Sequence, residues 1–96
     1  MAYYYLYHIR AASPEAAPRI CAAYRHTLSL VQEPGWVSGS CMINQSDPSS
    51  VLIYEVWGSL PPLQTWLASE AFQRMLQAIA PFVTGPAREE TFQDNF

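Results

Sequence analysis

The chain has 96 residues, of which half are hydrophobic, 14% aromatic and 14% charged, with a net charge of −3. That length suits a single domain, 1–96, rather than two. Only five Lys and Arg occur, scattered and without a cluster, which excludes the basic footprint of a nucleic-acid binder. An average globular chain is about one-quarter charged. With so few charges, a monomer of this composition leaves apolar surface uncovered, so a homodimer is expected.

The N-terminal run Met1 to His8 is apolar, but it has no basic leader residues and is too short to span a bilayer. It reads as a strand in a soluble, cytoplasmic protein that does not insert into membranes. Tyr3, Tyr5, Tyr7 and Ile9 share one face of this strand, while Tyr4, Leu6, His8 and Arg10 share the other. Neither face is uniformly polar, so both should be covered.

Ser13-Pro14-Glu15 has the chemistry of a helix start, with Ser13 as N-cap and Pro14 at the first helical position. Pro18 pushes the ordered helix nearer to itself, because an interior proline loses a hydrogen bond. Ile20, Tyr24, Leu28 and Val31 recur at helical spacing as a buried stripe that ends before Pro34-Gly35. Trp36 to Asn44 alternates loosely, with Val37, Cys41 and Ile43 on one face and Ser38, Ser40 and Asn44 on the other. A polar turn over Gln45 to Ser50 leads to the clearest strand, Val51 to Trp57, and the two runs predict a hairpin.

Gly58 to Pro62 breaks the chain before a helix with Leu63, Trp66 and Leu67 on one face. Ser69 caps a second helical piece carrying Phe72, Met75, Leu76 and Ile79, which ends at Pro81. Thr84-Gly85-Pro86 turns into a last strand, Ala87 to Gln93, where Glu90 and Phe92 share a face. The order strand, helix, strand, strand, helix, strand is the α+β, ferredoxin-like β-α-β-β-α-β pattern with an antiparallel sheet. Helices cover one sheet face and leave the other for a partner's sheet.

Pro34-Gly35-Trp36, then Tyr54-Glu55-x-Trp57, then Ser69-x-x-Phe72, resembles the antibiotic biosynthesis monooxygenase family over nearly the whole chain. The resemblance implies a dimeric α+β barrel with a pocket between the helices and the sheet of each protomer. Its members include cofactor-independent oxygenases of polycyclic phenols, quinol monooxygenases and haem-degrading enzymes. Trp57 matches the strand-end tryptophan of the phenol-oxidising members, whose asparagine would fall at Ile53 and whose helix tyrosine near Leu63. Trp66 matches the helix tryptophan of the haem-degrading members. Their axial histidine would fall near Leu76 and their first-strand asparagine near Leu6; leucine cannot ligate iron, which argues against haem breakdown.

The chemistry-bearing residues can each be read functionally or structurally. His8 is the best general base available, since imidazole titrates near neutrality; the plain alternative is a hydrogen-bonded structural histidine. Trp57 and Trp66 either stack on a substrate ring or close the core. His26 sits beside Arg25 near a helix end, where the dipole favours positive charge. Tyr5, Tyr7 and Tyr54 suit an interface more than a catalytic set. Arg10 and Arg88 fit exposed strand ends, and Glu55 needs a buried partner such as an arginine. Cys21 and Cys41 form no CxxC pair and read as free buried thiols. His8, His26, Cys21 and Cys41 lack the short-spaced pair of a zinc site, so neither a metal nor a cofactor is expected.

The resemblance, taken with these residues, implies a cofactor-independent monooxygenase of a quinol, polyphenol or similar apolar conjugated molecule. Its catalytic residues would be His8 and Trp57, and its substrate-binding residues Trp66, Phe72, Met75, Tyr54 and Leu6. The alternative is a non-catalytic dimeric barrel that binds a hydrophobic metabolite or serves as a dimerisation module.

Overall fold

Eight residues, Tyr3–Arg10, form β1 in the computed structural model, which describes residues 1–95, and only Tyr5 and Ile9 of them are fully buried. The remaining elements are α1 (Ala17–Leu28), β2 (Trp36–Ile43), β3 (Ser50–Trp57), α2 (Leu60–Leu67), α3 (Glu70–Ile79), a 3-10 turn (Ala80–Phe82) and β4 (Arg88–Gln93). The four strands make one antiparallel sheet in the order β2-β3-β1-β4. This is the ferredoxin-like topology, with the first and third strands adjacent at the centre. No helix of the described residues is long and apolar enough to cross a membrane.

Register decides which side chains meet the helices. β1 pairs with β3 so that Tyr5 faces Glu55, Tyr7 faces Ile53 and Ile9 faces Val51. Those six residues point to the helix layer, because paired residues share a face. They pack with Ile20 and Tyr24 of α1, Leu63 and Trp66 of α2, and Phe72, Met75 and Ile79 of α3. The opposite parity, with Tyr4, Leu6 and His8 set against Val56, Tyr54 and Leu52, forms a face that no helix covers.

Local chemistry accounts for the element ends. Ser13 does not cap α1 directly; its Oγ accepts from the Ala16 amide at 3.2 Å within a turn, and the helix begins at Ala17 with Pro18 in its first turn. A proline is tolerated there because that amide has no helical partner anyway. The helix ends at Leu28, earlier than the apolar stripe predicts, and Val31 lies beyond it. The Ser69 Oγ accepts from the Phe72 amide at 3.2 Å, which separates α2 from α3 as expected of an N-cap.

β2 carries an irregularity. Its register shifts between Trp36 and Ser38, so Trp36 pairs with Trp57 while Val37 is left over and 61% exposed. The extra residue reverses parity locally. Trp36 therefore joins the helix face with Cys41 and Ile43, and Val37, expected on that face, does not. Cys21 of α1 and Cys41 of β2 are free thiols with their Sγ atoms 2.6 Å apart, and burial pushes the Cys41 thiol pKa up.

Candidate functional site

The centre of the helix face is built around a carboxylate. Glu55 is fully buried, and its partners are three neutral donors rather than an arginine. Trp57 Nε1–H donates to Oε1 at 3.0 Å; Tyr24 O–H and Trp66 Nε1–H donate to Oε2 at 2.6 and 3.3 Å. Strand parity places Glu55 and Trp57 two residues apart on one face, while α1 and α2 deliver Tyr24 and Trp66 from above. Gly39, paired with Glu55, leaves the opening: a Cβ there would lie 2.8 Å from the Tyr24 hydroxyl and would strike the Trp36 ring. Burial raises the Glu55 pKa, while the three donors pull it down less strongly. Burial also raises Tyr24, with the neighbouring Glu55 adding to the effect.

This cluster is closed. Trp57 and Trp66 are 0% and 1% exposed, and neither lines the clefts described next. Trp36 packs edge-on against Trp57 with ring centroids 5.2 Å apart, and Phe72 against Trp66 at 5.8 Å. The two indoles expected around a substrate instead spend their N–H groups on Glu55.

The open space on the helix face lies between α3 and the β1–β4 side of the sheet. One lobe of about 370 Å³ is lined by Tyr7, Leu67, Phe72, Leu76, Ala87 and Glu89 among others. An adjoining lobe of about 310 Å³ shares Tyr7, Leu76 and Ala87 and extends to Ile9, Ile79 and Val83. The walls of the cleft are mostly aromatic and aliphatic side chains, with Gln73 of α3 among them and Glu89 at one end. There the buried Tyr5 hydroxyl donates to Glu89 Oε2 at 2.7 Å, and β4 pairing sets Glu89 directly opposite Tyr7. Burial raises the pKa of both tyrosines, and Glu89 adds to each shift.

Of the residues expected to bind substrate, Phe72 lines this cleft. Met75 is buried on the other side of α3, under a separate cleft of about 470 Å³ between α1 and α3 that also includes His26. His8, Leu6 and Tyr54 lie on the uncovered sheet face: Leu6 pairs with Tyr54, whose ring approaches Tyr4 at 6.2 Å. His8 Nε2 sits 2.8 Å from Glu90 Oε1, which Arg88 also approaches at 3.2 Å. The sheet separates His8 from Trp57, Trp66 and the cleft, so it cannot reach a substrate held between helices and sheet. Strand alternation is the reason: His8 has the parity of Leu6, not of Tyr7.

Glu89 and Leu76 were not singled out as site residues from sequence. Glu90 and Phe92 sharing a face puts Glu89 on the other, which was readable; that Glu89 lands opposite Tyr7 depends on a long-range register. Among the described residues no three His, Cys, Asp or Glu side chains group as a metal site.

A four-stranded antiparallel sheet under one helical layer, with an apolar cleft between them, defines an α+β domain of the ferredoxin-like class. The sequence profile described as antibiotic biosynthesis monooxygenase matches residues 5–78. The chain belongs to that family. No curated protein sequence matches it. Among solved structures, one described as an antibiotic biosynthesis monooxygenase is 20% identical, with 97% of this chain and 98% of that chain covered and a TM-score of 0.79. A protein from Caulobacter crescentus CB15, described as a putative antibiotic biosynthesis monooxygenase, is 14% identical, covering 99% and 91%, with a TM-score of 0.86. SnoaB, a cofactor-independent oxygenase from Streptomyces nogalater, is 14% identical, covering 99% and 94%, with a TM-score of 0.78. At these identities the structural likeness speaks to the fold.

Proposed function

We propose that the protein is a cofactor-independent monooxygenase of a conjugated, apolar small molecule such as a quinol or polyphenol, bound in the cleft between α3 and the β1–β4 side of the sheet. The observation that carries this reading is the cleft itself: aromatic and aliphatic walls from Tyr7, Leu67, Phe72 and Leu76, with one carboxylate at the edge. A flat ring system gains stabilisation from such walls through burial and edge-to-face contact. Family membership and the likeness to a structure described as a cofactor-independent oxygenase favour oxygen chemistry over other uses of the pocket.

In this reading the substrate supplies all the electrons. It loses a proton, and the resulting anion reacts with molecular oxygen to form a carbon–oxygen bond. The hydroperoxide then collapses: one oxygen remains as a carbonyl, and the other leaves as water with two substrate hydrogens. A quinol and one O2 thus give a hydroxyquinone and one water. The protein orients the ring and keeps bulk water from the reactive anion. Two copies pair through the uncovered sheet faces, and the expected cytoplasmic location belongs to the same reading.

Oxygen-electrode measurements with a panel of quinols and polyphenols, in the presence of a chelator, test this. Uptake should survive chelation. It should fall about tenfold or more when Leu76→Trp fills the cleft, an effect of removed transition-state binding. His8→Ala should leave uptake unchanged, because that side chain lies across the sheet. No uptake with any member of the panel would overturn the enzyme reading. Retained binding without uptake would instead establish the apolar-metabolite binder, which the closed tryptophans around Glu55 favour.

A further inference from the structure

We propose that Glu89 is the base that takes the substrate's proton and that Tyr5 is the positioning residue that holds it. This rests on the reading that the α3 cleft is the substrate site. Among the described residues, Glu89 is the one carboxylate lining either lobe of that cleft. Of the nearby alternatives, Glu55 is enclosed by three donors, and Glu90 points to the other sheet face with His8.

The hydrogen bonding of Glu89 is asymmetric in a useful way. Oε2 accepts from the Tyr5 hydroxyl at 2.7 Å, while Oε1 accepts no side-chain hydrogen bond among the described residues. A hydrogen bond to an ionised carboxylate is short and strong enough to hold its rotamer. The Tyr5 ring is itself fixed: it is 1% exposed, stacked on Tyr7 at 6.1 Å and edge-on to Phe72 at 6.4 Å. Glu89 is exposed at the rim of the cleft, and Tyr5 anchors one of its oxygens there while leaving the other free. The step is a proton transfer: an acidic C–H or O–H of the substrate breaks, its proton bonds to Oε1, and the electron pair stays on the substrate. The glutamic acid later returns that proton to the departing water. Tyr7 lies beside Glu89 with a hydroxyl that makes no side-chain hydrogen bond among the described residues, and it can donate to the substrate oxygen on which charge gathers.

Hydrogen–deuterium exchange without oxygen separates this step from oxygenation. Anthrone, whose CH2 lies between two aromatic rings beside a ketone, is incubated with the protein in D2O under nitrogen, and loss of the CH2 proton signal is followed by NMR. The wild-type protein should speed exchange by about 100-fold over buffer, the usual scale of a positioned base. Glu89→Gln should return the rate to that of buffer, and Glu89→Asp should restore part of it. Tyr5→Phe should slow exchange by roughly threefold to tenfold while anthrone affinity, read by fluorescence quenching, stays within about twofold. Exchange by Glu89→Gln within about twofold of wild type, or no acceleration by wild type, overturns the assignment. Oxygen uptake without Glu89-dependent exchange keeps the oxygenase and removes the base. Exchange without uptake keeps the base and removes the oxygenase.

Discussion

Glu55 shows how a single buried charge can organise a small core. Its carboxylate draws one donor from β3 itself, one from α1 and one from α2, so three elements converge on two oxygen atoms. Replacing it with alanine leaves two indole N–H groups and a hydroxyl without partners, and an unsatisfied buried group costs about 1–3 kcal/mol. Glu55→Ala should therefore lose about 3 kcal/mol or more in urea unfolding. The pH dependence follows from the direction of the shift. Burial raises Glu55 above its ordinary 4.5, so the folded chain holds this proton to higher pH than the unfolded chain does. The stability gained is full below the unfolded value and is lost as pH rises through the folded one. The urea midpoint of wild type minus that of Glu55→Gln, measured from pH 4.5 upward, should fall with pH. A difference that rises over that range would contradict the assignment.

Among the elements, β2 shows most clearly what could and could not be read in advance. Alternation predicted the strand, and the hairpin with β3 is present. The bulge at Val37 was hidden, because one extra residue leaves composition unchanged while exchanging Val37 for Trp36 on the helix face. Gly39 carries a matching constraint. It has no side chain because the Tyr24 hydroxyl and the Trp36 ring occupy that space. Gly39→Ala should cost roughly 1–3 kcal/mol, the scale of an overpacked site, with the loss read as a lower thermal midpoint; an unchanged midpoint would show that Tyr24 and Trp36 move aside freely. The element order, the Ser69 cap and the proline in the first turn of α1 were all legible, since each depends on neighbours in sequence. The site was less legible. β1 has tyrosines on both faces, so its own pattern does not say which face meets the helices, and that parity separates Tyr7 from His8. The donors to Glu55 and the Tyr5–Glu89 bond join residues distant in sequence, which no local spacing encodes.

At the scale of the whole molecule, the helices all lie on one side of the sheet, and the other side is left to solvent in a single chain. That side carries Leu6, Leu52, Tyr54 and Val56 at its centre, with Met42 and Phe92 exposed toward its two edges. Charged and ionisable groups gather at one end, where Arg88 and His8 meet Glu90 and Arg10 meets Asp47, while Ser38 and Ser40 lie along the β2 edge. A surface of this kind, apolar at the centre and charged at the rim, has the anatomy of a protein interface. We propose a second copy as its occupant, because a two-fold pairing would set the same apolar strands against each other and enclose both faces at once. Such an interface should bury more than roughly 1,200 Å², the lower bound for a stable complex. Light scattering at micromolar concentration should give about twice the 10.8 kDa of one chain. Leu52→Arg should shift that mass toward the monomer, since it places an unpaired charge at the centre of the interface. The helix side should be unaffected, so the far-UV circular dichroism of the variant should match wild type. A wild-type mass of 10.8 kDa would refute the pairing and leave the apolar sheet face in need of a different partner.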